Sequence, residues 1–238
     1  MHNFVFLKKV SVSILLYNLP VLDILKIDPN KHGFIGDIMK KLNLILAVLF
    51  LAFVWIMGLT YLSTPIITIV GGSMTVGFFF WLKYSYGKPT EPFALIPPFS
   101  IMLAALFIHI MEEYYMDFPQ AISALFQVDF SKQTFLLVFE QLGPIVYFLV
   151  IAGLAVRNEF SNFFASFLVI GMGIAEVTHF IFPIIAGGPY HYFPGMYTAI
   201  LPMITGIWTM TVVIKDSKRK ALNSRSADYA NHSNAQAA

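Results

Sequence analysis

His109, Glu112 and Glu113 stand at i, i+3 and i+4 of an apolar stretch, a spacing that puts all three on one face of a helix. Glu176 and His179 repeat the i, i+3 relation in a second apolar stretch, Glu140 lies in a third, and His191 follows in a loop. Carboxylates and imidazoles at such spacings are the donors of carboxylate-bridged metal sites in helix bundles, although His-x-x-Glu-Glu reverses the usual order of Glu-x-x-His. One or two divalent ions are expected, with iron, manganese or zinc suited to mixed oxygen and nitrogen donors; two would neutralise four carboxylates, and a bound ion would activate water or, with iron, support oxygen chemistry. On this reading His109, Glu112, Glu176 and His179 are metal ligands, Glu113 is a ligand or general base, and Glu140 bridges or orients. Plainer roles compete with each of these: a surface position for His191, a helix-to-helix hydrogen bond for Glu140, and solvation of Glu112 and Glu113 if their helix ends early.

The surroundings make the acids costly. Only 12% of the 238 residues are charged and 58% are hydrophobic, whereas soluble domains carry about a quarter of their residues as charged side chains. An ionised carboxylate at the centre of a membrane helix costs about 2.5–3.5 kcal/mol on insertion scales. Four of them approach the roughly 5–15 kcal/mol that holds a typical protein folded. No Lys or Arg lies in the apolar stretches that carry these glutamates, so protonation, a water-filled cavity or bound cations must compensate. With no cysteine in the chain, thiolate metal sites, iron–sulfur clusters and disulfides are excluded.

The elements that must position these groups are membrane helices. Apolar segments at 42–62, 65–82, 95–115, 134–156, 163–185 and 196–214 each approach the ~20 residues that cross a hydrocarbon core, and the Pro- and Gly-bearing stretches between them read as turns. Runs that are apolar on every side exclude a membrane β-barrel, which needs alternation. The fold expected is therefore all-α, a polytopic transmembrane bundle of about six spans. Fourteen of the fifteen Lys and Arg fall before residue 42, near Lys83 and Lys88, at Arg157 or after residue 214, and Lys132 alone lies in a loop of the opposite set. The positive-inside rule then places both termini in the cytoplasm and the acids and imidazoles of spans three, four and five in the outer half of the bilayer.

Three divisions follow. Residues 1–41 read as a cytoplasmic or interfacial segment, broken by Asn18, Pro20 and Asp23, and Met39-Lys40-Lys41 resembles a natural start. Residues 42–214 form the six-helix membrane domain. Residues 215–238, polar and rich in Ser, Asn and Ala with a basic cluster at Lys215, Lys218, Arg219 and Lys220, read as a disordered cytoplasmic tail. Gly171, Gly173 and Ala175 make a small-residue strip suited to close helix packing, and Pro98, Pro144 and Pro202 are expected to kink their helices.

His109-Ile110-Met111-Glu112-Glu113 and Tyr192-Phe193-Pro194-Gly195 resemble, in order, the His-x-x-Glu-Glu and Tyr-x-Pro-Gly motifs of the HXXEE-domain membrane proteins. The resemblance covers 109–214 and implies a membrane protein whose site includes His109, Glu112, Glu113, Tyr192, Pro194 and Gly195, with His179 at the histidine of an Asn-x-x-x-His motif. This chain departs from that motif, because Ala175 stands where the asparagine would be, with Glu176 one residue later. That family carries no assigned reaction, so the resemblance implies a site without a chemistry.

Expected function is thus a metal-dependent enzyme embedded in a membrane, on this composition a prokaryotic inner (plasma) membrane, with membrane lipids around it and a lipid or small apolar substrate. Neither charge nor composition suggests a nucleic-acid partner. A proton-linked transporter or channel using the same carboxylates is the alternative, with a packing role in a non-catalytic membrane partner as a third.

Overall fold

Long apolar runs become helices here, some with breakers inside them, as at Pro97 and Pro98 of Pro92–Tyr115 and Pro183 of Thr178–Ala186. The computed structural model describes residues 29–61 and 64–236 and divides into the units Met1–Met39 and Lys40–Ala238. The expectations for residues 1–28 lie outside the described residues. Nine α-helices are described: α1 (Pro29–Tyr61), α2 (Thr64–Tyr84), α3 (Pro92–Tyr115), α4 (Phe118–Phe126), α5 (Lys132–Phe135), α6 (Gly143–Ala155), α7 (Glu159–Ile174), α8 (Thr178–Ala186) and α9 (Ile200–Gln236). No strand occurs among the described residues.

Five segments are long and apolar enough to cross a membrane: Gly36–Tyr61, Ile66–Tyr84, Pro92–Tyr115, Lys132–Ala155 and Glu159–Ala186. The expected sixth segment is divided. Residues 194–199 form turns, α9 starts at Ile200, and its apolar part falls short of the ~20 residues a span needs. Beyond residue 214, where a disordered tail was expected, α9 continues as helix to Gln236. Asp216 pairs there with Arg219 at 2.5 Å and Lys220 at 2.7 Å, the i, i+3 and i, i+4 contacts that support a helix.

Within Lys40–Ala238, α7 packs against α2, α6 and α9, and α3 packs against α9 and α6. Phe99, Met102, Leu106, Ile110, Phe135 and Val169 form the buried centre. Gly173 on α7 and Gly206 on α9 let two backbones meet: a Cβ on Gly206 would lie 2.6 Å from the Gly173 nitrogen. Of the small-residue strip, Gly173 thus serves close packing, whereas Gly171 and Ala175 line a cavity.

Two irregular turns shape the site. Leu136–Leu142 is a π-helical stretch, where the Gly143 N–H reaches the Val138 carbonyl five residues back. Pro144 follows directly; having no N–H for the carbonyl of residue 140 and a ring that crowds it, proline favours the wider turn. The second irregularity is the 3₁₀ turn Ala175–Val177 between α7 and α8. In a 3₁₀ turn side chains three apart eclipse, which aligns Glu176 with His179.

Candidate metal centre

His109 and Glu113 come from the last turns of α3, His179 from the first turn of α8, and Glu176 from the 3₁₀ turn before it. His109, Glu113 and His179 are buried, and their ligand atoms lie within 4.8 Å of one another, a group that could hold a metal ion. His109 Nε2 is 3.2 Å from His179 Nε2. Glu176 Oε2 is 2.9 Å from the first nitrogen and 3.2 Å from the second, and Glu113 Oε1 is 3.7 Å and 3.4 Å from them. Four donors bound tetrahedrally at ~2.0–2.1 Å would be about 3.3 Å apart, so these separations are those of ligands around one ion.

Hydrogen bonds on the far side of each ring settle which nitrogen faces the cluster. His179 Nδ1 lies 2.9 Å from the Pro194 carbonyl, which only accepts, so Nδ1 carries the hydrogen. The Thr198 hydroxyl donates to Glu112 Oε2 at 2.5 Å, which leaves its oxygen to accept from His109 Nδ1 at 3.1 Å. With both Nδ1 positions protonated, neutral imidazoles turn bare Nε2 lone pairs on each other. Two lone pairs and two carboxylate oxygens then converge with no donor among them, an arrangement that requires cations, either protons or a metal ion.

The stretch between α8 and α9 roofs this cluster. Gly195 has φ +89°, a left-handed conformation that favours glycine, and a Cβ there would lie 2.5 Å from the His179 ring and 3.0 Å from that of His109. Glu112 ties the roof down. It accepts from the Tyr192 hydroxyl at 2.7 Å, Tyr197 N–H at 3.2 Å and Thr198 N–H at 2.7 Å besides the Thr198 hydroxyl. Burial and the bond to Glu112 push the pKa of Tyr192 above the ordinary tyrosine value.

The expected residues therefore separate. His109, Glu113, Glu176 and His179 meet, whereas Glu112, expected as a ligand, spends both oxygens on the roof. Tyr192, Pro194 and Gly195 all bear on the roof. His191 is exposed, with Nδ1 3.0 Å from the Pro189 carbonyl. Glu140, expected to bridge or orient, is exposed on the π-helical stretch. Thr198 and Tyr147 were not anticipated. A lone hydroxyl following a Tyr-x-Pro-Gly turn, and one tyrosine in an apolar span, were the available signals.

An apolar cavity of about 380 Å³ reaches the cluster, with Glu113, Glu176 and His179 in its wall. Phe118, Phe126, Phe139, Phe167 and Phe182 supply much of the rest. No family model matches the chain, and neither a curated protein nor a solved structure matches it.

Proposed function

We propose that this chain is a membrane-embedded, metal-dependent enzyme acting on a lipid or other apolar substrate. The convergence of two imidazole nitrogens and two carboxylates at the spacing of ligands around one ion, at the wall of an apolar cavity, carries this reading. His109, His179 and Glu113 hold the ion, and two histidines with one glutamate form a donor set used by catalytic zinc. Glu176 occupies the fourth corner, the one a catalytic ion gives to water or substrate; displaced from it, the carboxylate is within reach to take a proton. Relative to the sequence expectation, Glu113 moves to the ligands and Glu176 to the base. The bound ion supplies Lewis acidity and an activated water, while Pro194 and Thr198 hold the imidazoles in one tautomer.

The resemblance to the HXXEE-domain proteins supports the same residues, with Glu176 compensating for Ala175. With residues 196–214 as a sixth crossing, the distribution of basic residues supports cytoplasmic termini, and the membrane of this reading is a prokaryotic inner membrane. Protein purified without chelator is expected to contain one divalent ion per chain by elemental mass spectrometry, and His179→Ala is expected to contain almost none. Metal-free protein from several expression conditions would sink the proposal. If such protein also carries pH-coupled flux in proteoliposomes, the proton-linked transporter takes its place.

A further inference from the structure

The cavity beside the metal centre has a charge pattern that selects its guest. Its wall contains the carboxylates of Glu113 and Glu176 and, among the described residues, no Lys or Arg. With one divalent ion offsetting the two carboxylates, a phosphate or carboxylate head group entering the cavity would bring a net charge that no Lys or Arg of its wall answers. With an ion neutralising the carboxylates, a cationic head gains nothing either. About 380 Å³ lies toward the small end of the roughly 300–1,000 Å³ of small-molecule pockets, a size for one chain rather than two. Tyr147 adds the polar contact. It is 8% exposed and lines the cavity, it lies in the field of Glu176, Glu140 and Glu113, and among the described residues no side-chain or backbone group hydrogen-bonds its hydroxyl. The hydroxyl is thus free to bond a guest in the cavity.

We infer that the cavity takes an uncharged single-chain lipid, a long-chain alcohol, aldehyde or ester, whose polar group sits between the Tyr147 hydroxyl and the metal centre. The assignment rests on the metal-enzyme reading, because the neutral head group presupposes an ion that offsets Glu113 and Glu176. Gly171 provides the control for the chain: it lines the cavity, and a Cβ there meets only Ser73, at 4.0 Å, so Gly171→Leu fills space without displacing a ligand.

The test is equilibrium binding of radiolabelled hexadecanol, hexadecanoate and hexadecylamine to the full chain in phospholipid nanodiscs, with metal content measured on the same samples. Hexadecanol is expected to bind saturably and at least tenfold more tightly than either charged analogue. Gly171→Leu is expected to weaken it at least tenfold and Tyr147→Phe about threefold to tenfold, both with metal content unchanged. Equal or tighter binding of hexadecanoate or hexadecylamine overturns the inference, as does full hexadecanol affinity in Gly171→Leu. Loss of metal with hexadecanol selectivity intact sinks the enzyme reading alone, so the two failures are told apart.

Discussion

Two groups of acids, one toward each end of the bundle, are answered by different means. At the end where α3 and α7 begin, Glu91 is clasped by Arg157 at 2.8 Å through both carboxylate oxygens, and Asp216 receives Lys220, Arg219 and the Glu91 N–H. Glu159 accepts from the Gly87 N–H and Asn43. Thr90 N–H bonds Asn162 Oδ1 at 3.2 Å, and Lys220 also holds the Pro89 carbonyl. Every acid there has a donor fixed in the sequence. At the end where α3 finishes, Glu112 is also fully bonded, but Glu113 and Glu176 meet two imidazoles, which answer them only by taking up a proton or sharing a metal ion. Charge that is answered internally builds a joint, and charge left for something else builds a site.

The sharpest way to break this contrast is to remove one polar side chain from each end. His109→Ala is expected to weaken metal binding at least a hundredfold, measured by competition with a calibrated chelator, whereas Asp216→Ala leaves it unchanged. Gly195→Ala comes next. Its Cβ strikes both imidazoles in a conformation costing alanine about 1–3 kcal/mol, so metal content and thermal midpoint in detergent are both expected to fall. Thr198→Val removes the oxygen that fixes the His109 tautomer without touching a ligand; a loss of tenfold to a hundredfold in metal affinity is expected, and unchanged affinity would remove Thr198 from the site.

At the other end the effects are smaller and concern stability alone. Burial opposes ionisation of Asp216, yet Lys220, the Glu91 N–H and Arg219 together hold its pKa below the ordinary aspartate value. Its contribution is therefore present above about pH 3.9 and lost as the pH falls through the lower folded value. Asp216→Ala is expected to cost about 1–3 kcal/mol at neutral pH and to flatten that part of the acid unfolding profile. Arg157→Ala, which cuts an exposed pair, is expected to cost under about 1 kcal/mol, and a larger loss would show that the joint works as a network.

Much of the helical architecture was legible because an apolar run longer than a turn of lipid-facing surface has few alternatives to helix. Ligand spacing was legible for the same reason: the i, i+4 pair of His109 and Glu113 and the i, i+3 pair of Glu176 and His179 both meet. Which of two neighbouring glutamates faces the cluster was not, because adjacent helical residues diverge by about 100° and the arbiter is a loop some eighty residues away. The π turn that carries Glu140 was not legible either, because an ideal helical period does not foresee one. The end of the sixth apolar segment escaped because turns and helix there share one hydrophobic composition.

The breadth of the chamber beside the ligands depends on a hydrogen that does not exist. Pro144 offers no amide proton to the backbone behind it, so the turn at 136–142 stays one residue too wide. That extra residue aims Val138, Phe139 and Leu142 at the void. Restore an amide, as alanine would, and the ordinary ladder becomes available, which would swing these side chains off their present bearing. The room granted to a guest is thus written in the main chain, where exchanging one bulky side chain for another would not reveal it.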